Sequence, residues 1–127
     1  MSGRVVHFEI PVDDGDRARS FYKEAFGWQV QQMPEMSYTL VTTGPSGQQG
    51  PAEPGFINGG LLPRRDGPAA APLVVVEVES IDVALERVAE LGGATVLGKQ
   101  PVGAMGFTAY LRDTEGNVVG LWESAAG

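Results

Sequence analysis

Residues 4–28, RVVHFEIPVDDGDRARSFYKEAFGW, decide how this chain is read. The run from Arg4 alternates with the period of a strand, setting Val6, Phe8 and Ile10 on one face and Val5, His7 and Glu9 on the other. Asp13, Asp14 and Asp16 then supply cap candidates and favourable negative charge for a helix N-terminus. Ala18, Phe21, Tyr22 and Ala25 follow at i, i+3, i+4 and i+7, a stripe suited to packing on a sheet, and Gly27 is placed to end the helix. Two strands are expected at 28–32 and 37–43 with a turn at Pro34, and a further one in GFINGGLL at 55–62, where Gly59 and Gly60 weaken the pattern.

The second half repeats the order. Strand 73–78 leads to Ser80 as N-cap and to the helical stripe Ile81, Ala84, Leu85, Val88 and Leu91, closed by Gly92 and Gly93. Strands at 94–97, 107–111 and 118–122 complete it. A shift of 66 positions superposes the halves, pairing His7 with Leu73, Asp14 with Ser80 and Gly27 with Gly93. The expectation is an α+β protein: two tandem βαβββ modules whose curved mixed sheet encloses a cavity. Module one is placed at 3–63, a linker at 64–71 and module two at 72–124, the whole of 1–127 forming one domain.

Composition narrows the function. The 127 residues carry a net charge of −7, which argues against nucleic acid as partner, and the adjacent pair Arg64 and Arg65 reads as part of a solvated loop. There is no cysteine, so neither a disulfide framework nor a thiolate site is available. The apolar run 69–76 is too short to span a bilayer and the start lacks a secretory pattern, so a cytoplasmic location without membrane contact is expected. Neither a nucleophile elbow nor a phosphate-binding glycine loop is present. The 18 Gly and 9 Pro concentrate in 44–54 and 63–72, suggesting a loop over the cavity mouth and an intermodule linker.

The opening segment, the helix IDVALERVAELGG at 81–93 and the final LRDTEGNVVGLWES at 111–124 together resemble the vicinal oxygen chelate superfamily, which includes glyoxalase I, bleomycin-resistance proteins and extradiol dioxygenases. The resemblance implies a divalent metal (Zn, Ni, Mn or Fe) held from four strands and open to a chelating substrate. His7 and Glu123 match two of those positions. Leu73 stands at a third, and the fourth strand of module one offers only Gly59, Gly60, Leu61 and Leu62. The expectation is thus a glyoxalase-like small-molecule-binding protein with a degenerate metal site and no tightly bound catalytic metal. The alternatives are a metal-dependent lyase, isomerase or dioxygenase using His7 and Glu123, and a non-catalytic antibiotic-sequestering protein of the bleomycin-resistance kind. Relatives imply a homodimer. Strand alternation nominates Glu9, Tyr38, Leu73, Val75, Glu77, Phe107, Tyr110 and Leu121 as the cavity lining, an apolar and acidic cup that would favour a cationic ligand.

Overall fold

The computed structural model describes residues 3–33, 35 and 37–125. The elements follow the expected order: β1 (Val5–Val12), α1 (Gly15–Phe26), β2 (Gln29–Met33), β3 (Tyr38–Thr42), a short hairpin of β4 (Ser46–Gly47) and β5 (Gly50–Pro51), β6 (Asn58–Pro63), β7 (Leu73–Glu77), α2 (Ile81–Glu90), β8 (Ala94–Val102), β9 (Gly106–Arg112) and β10 (Val118–Ser124). The class is α+β with two βαβββ modules, as the repeat predicts. The turn expected at Pro34 lies outside the described residues.

The chain divides into two compact units, His7–Pro72 and Met1–Val6 with Leu73–Gly127. The boundary therefore runs through β1, whereas the sequence reading assigns all of 3–63 to module one. The reason is local pairing: Gly3 N–H donates to Glu77 O, and Glu77 N–H donates to Arg4 O, tying the start of β1 to β7.

In the unit 7–72 the strands lie in the order β2, β3, β6, β1, with β1 and β6 parallel and the other pairs antiparallel. Asp14 caps α1 by accepting from Arg17 N–H, and Gly27, at φ 73, ends it with a left-handed residue whose N–H reaches Lys23 O. The expected apolar stripe divides, with Ala18 and Tyr22 partly covered and Phe21 and Ala25 exposed. Phe21 and Phe26 are 58% and 62% exposed, and it is Gly15, Ala18, Arg19 and Tyr22 that are partly covered. Aromatic packing accompanies the covered part of the stripe: the Tyr22 ring stacks on Trp28 at 5.0 Å and 7° between planes. Gly59 and Gly60, which weakened the strand pattern, are needed within β6. A Cβ on Gly59 would meet the Phe8 ring, and one on Gly60 would meet the Tyr38 phenol.

The other unit orders its strands β7, β10, β9, β8, with β7 and β10 parallel. Ser80 accepts from Val83 N–H to cap α2, whose core is Ile81 against Ala109, Leu111 and Leu121. Ile81 is 0% exposed, a burial worth about 2–3 kcal/mol. Gly92, at φ 101, is the left-handed residue that ends α2, and Gly93 N–H returns to Val88 O. The counterpart of Gly27 is therefore Gly92 and not Gly93, although the helix starts, Gly15 and Ile81, keep the 66-residue offset. The Asp113 turn before β10 forms as its residues predict, with Asp113 Oδ1 accepting from Glu115 N–H and Asn117 N–H, each at 2.8 Å. These bonds, Asn117 first, hold the Asp113 carboxyl below its usual range.

Candidate functional site

His7, Glu9 and Tyr38 come together. His7 and Glu9 share one face of β1, and Tyr38, at the start of β3, bridges them: Tyr38 O–H donates to Glu9 Oε2 at 2.9 Å, and His7 Nε2 lies 2.8 Å from Tyr38 Oη. The phenol has one proton and gives it to Glu9, so His7 Nε2–H must be the donor to Tyr38. Nδ1 is then left as a lone pair. Burial lowers the His7 pKa from 6.5 to about 4, so the imidazole is neutral at physiological pH. Glu9 is only 7% exposed, and the phenol lies over Gly60, where any side chain would displace it.

Glu123 has a different role. It lies on the α2 side of β10, where Oε1 accepts from Ile81 N–H at 2.8 Å and Oε2 pairs with Lys99 Nζ at 3.2 Å. The bond from Ile81 N–H, with Lys99 adding to it, holds the carboxyl below its usual range. The facing expected for β10 is thus reversed. Leu121 and Val119 pack in the α2 core, as does Phe107 of β9. Register explains the correction: Gly120 pairs with Val75 and Tyr110, Trp122 with Glu77 and Thr108, and cross-strand partners share a face. Leu73, Val75 and Tyr110 do meet on the face away from α2, around Gly120, where a Cβ would stand 3.0 Å from Val75 and 3.3 Å from Tyr110. Of the eight nominated lining residues, Leu121 and Phe107 therefore face the helix instead. Among the described residues no group of three or more His, Asp or Glu is placed to hold a metal ion.

A cavity of about 520 Å³ opens in the unit 7–72, where β1 runs into α1 and β6 into a 3-10 turn at Arg64–Asp66. Tyr38 is the one nominated lining residue on its wall; Val12, Met33, Thr39, Leu61 and Leu62 give it apolar and hydroxyl surface, and Gln32 an amide. Its volume suits a small organic ligand. The acidic character expected is not found there: Arg19, Arg64 and Arg65 line it against a single carboxylate, that of Asp13. The pair read as a solvated loop is anchored in this wall by Arg64, which donates to Asp13 Oδ1 at 3.0 Å and to the Ala70 carbonyl. The segment 44–54, expected over the cavity mouth, does not line this cavity. Asn58, held by Thr43 N–H, donates to Ser46 Oγ and ties the segment down at its start. No helix of the described residues is long and apolar enough to cross a membrane.

Comparison with known proteins agrees with this architecture. Residues 4–44 match the family model "Bleomycin resistance protein-like N-terminal". No curated protein matches the chain. Among solved structures, a Streptomyces coelicolor methylmalonyl-CoA epimerase variant in complex with 2-nitronate-propionyl-CoA is similar at 17% identity and TM-score 0.65, over 99% of this chain and 97% of that one. A Mycobacterium tuberculosis methylmalonyl-CoA epimerase is similar at 18% identity and TM-score 0.62, over 97% and 88% of the two chains. A hypothetical protein from Bacillus halodurans C-125 shows 16% identity and TM-score 0.65, over 98% and 96%. With the strand–helix order of both modules and a bleomycin-resistance-like opening segment, this chain has the fold of the vicinal oxygen chelate superfamily.

Proposed function

We propose that this chain binds a small organic molecule in the cavity beside Tyr38, and that His7, Tyr38 and Glu9 orient the ligand by hydrogen bonding without a tightly bound metal. The observation that carries this reading is the half-buried His7–Tyr38–Glu9 chain, whose Tyr38 lines the cavity wall. It fixes a phenol against the ligand space and backs it with a neutral imidazole, so that a polar group on the wall is held in one orientation. Glu123 is engaged with Ile81 and Lys99, which supports a degenerate site over one shared with His7. The bleomycin-resistance-like opening supports ligand sequestration as the simplest role, and the assembly proposed is a homodimer.

The test is a thermal-shift screen of small molecules, bleomycin and methylmalonyl-CoA among them, on the wild type, His7→Ala and Tyr38→Phe, with turnover assayed on every hit. Ligands whose stabilisation is lost in Tyr38→Phe uphold the reading. Turnover of a hit would make the protein an enzyme of this fold. Stoichiometric metal in protein purified without a histidine tag, absent from His7→Ala, would overturn the metal-free assignment in favour of a metal-dependent lyase, isomerase or dioxygenase. Light scattering reports the oligomeric state.

A further inference from the structure

We infer that the ligand of this cavity carries an anionic group, a carboxylate or a phosphate, gripped by Arg19 and Arg65. This rests on the reading that the cavity beside Tyr38 is a ligand site, and it specifies the ligand's charge. Three features of the wall lead to it.

Arg19 occupies a position of α1 that turns toward the sheet, where the helical pattern would put an apolar residue. Its side chain is 19% exposed and donates through Nη1 to Oγ1 of buried Thr39 at 3.1 Å, while Nη2 pairs with Asp16, which is 95% exposed. A guanidinium held this way has donors to spare, because those two bonds use two of its five N–H groups. Thr39, accepting from Arg19, keeps its own hydroxyl proton to offer.

Arg64 is spent on structure, bonded to Asp13, to the Ala70 carbonyl and to the Pro11 carbonyl. That fixes the turn and so presents its neighbour. Arg65 makes no hydrogen bond or ion pair among the described residues, yet it lines the same cavity. With Asp13 matched to Arg64 and Asp16 to Arg19, Arg65 is surplus positive charge in a chain whose net charge is −7.

The local sign is therefore opposite to that of the whole molecule. Planar guanidinium groups with free N–H donors match carboxylate and phosphate oxygens in pairs, and only an anion also compensates their charge. An anion entering here would take the Arg65 fork and the spare N–H groups of Arg19, whose ion-pair partner Asp16 is exposed.

The experiment is isothermal titration of the full chain with inorganic pyrophosphate and, separately, with malonate, at low and at raised salt. The variants are Arg65→Ser, Arg19→Gln and, as a charge-matched control far along the sequence, Arg87→Ser on α2. Binding of either anion that weakens about tenfold in Arg65→Ser and in Arg19→Gln, falls with salt and is unchanged in Arg87→Ser supports the proposal, pyrophosphate and malonate telling phosphate from carboxylate. Arg65 is exposed, so its variant keeps the test usable if Arg19→Gln fails to fold. Equal binding by wild type and Arg65→Ser would overturn it, as would failure of both anions to bind at millimolar concentration. If a neutral compound meanwhile stabilises the protein through Tyr38, the cavity remains a ligand site and only the anionic assignment falls.

Discussion

The pH dependence of stability between pH 7 and pH 4 should be dominated, for a single residue, by His7. Burial drops its pKa from 6.5 to about 4, so over that interval the unfolded chain takes up a proton that the folded chain refuses. Stability from this group is present in full above pH 6.5 and is lost as pH falls toward 4. At about 1.36 kcal/mol per pH unit the gap is worth about 3 kcal/mol, a large part of a typical folding free energy. His7→Gln keeps an N–H for Tyr38 and removes the titration. Urea unfolding of both proteins, followed by tryptophan fluorescence from pH 7 to pH 4, isolates the effect, since the 16 Asp and Glu residues titrate in each and cancel in the difference. The wild type should lose about 3 kcal/mol relative to His7→Gln across the window. As this is the only histidine in the chain, its NMR titration reads the same quantity directly. Parallel stability curves, or an imidazole titrating near 6.5, would refute both the neutral His7 and the orienting role assigned to it.

Other consequences are more local. Gly60→Ala sets a Cβ against the Tyr38 phenol and should cost about 1–3 kcal/mol in chemical unfolding while abolishing any Tyr38-dependent ligand shift. Ser80→Ala removes the α2 cap and should lower stability by about 1 kcal/mol, read as a lower urea midpoint at unchanged slope. Asp113 is held below its usual pKa, so its contribution is present above the unfolded value near 3.8 and is lost as pH falls through the folded one. Acid unfolding of Asp113→Asn should accordingly depend less steeply on pH below about 4 than that of the wild type.

The fold was legible because its signals are local. Asp14 and Ser80 sit where helices start, glycines sit where they stop, and the two caps are 66 residues apart, so the repeat can be found without knowing any contact. The shared face of His7 and Glu9 was legible for a similar reason, since β1 alternates clearly, whereas the hydrogen bonds of Tyr38, on β3, depend on strand pairing that no local pattern gives. β10 could not be phased that way, because 118–122 reads VVGLW and is compatible with either face. Only its register with β7 shows that Gly120 and Trp122 look away from α2 and that Glu123 serves the helix. The arginine-lined wall was hidden for another reason. Arg19 and Arg65 lie on separate elements, α1 and the turn after β6, and a net charge summed over the chain conceals a local surplus of the other sign.

The two irregularities in β8 bear on how copies of this chain can meet. β8 pairs with β9 alone, and its register slips between Thr95 and Leu97 and again between Leu97 and Gln100, with Pro101 two residues past Lys99. A partner strand laid along this rim would find its hydrogen-bonding groups out of step and one N–H missing. Self-association that extends a sheet through β8 is thereby discouraged, which leaves side-chain surfaces or the rim at β2 for contact between copies.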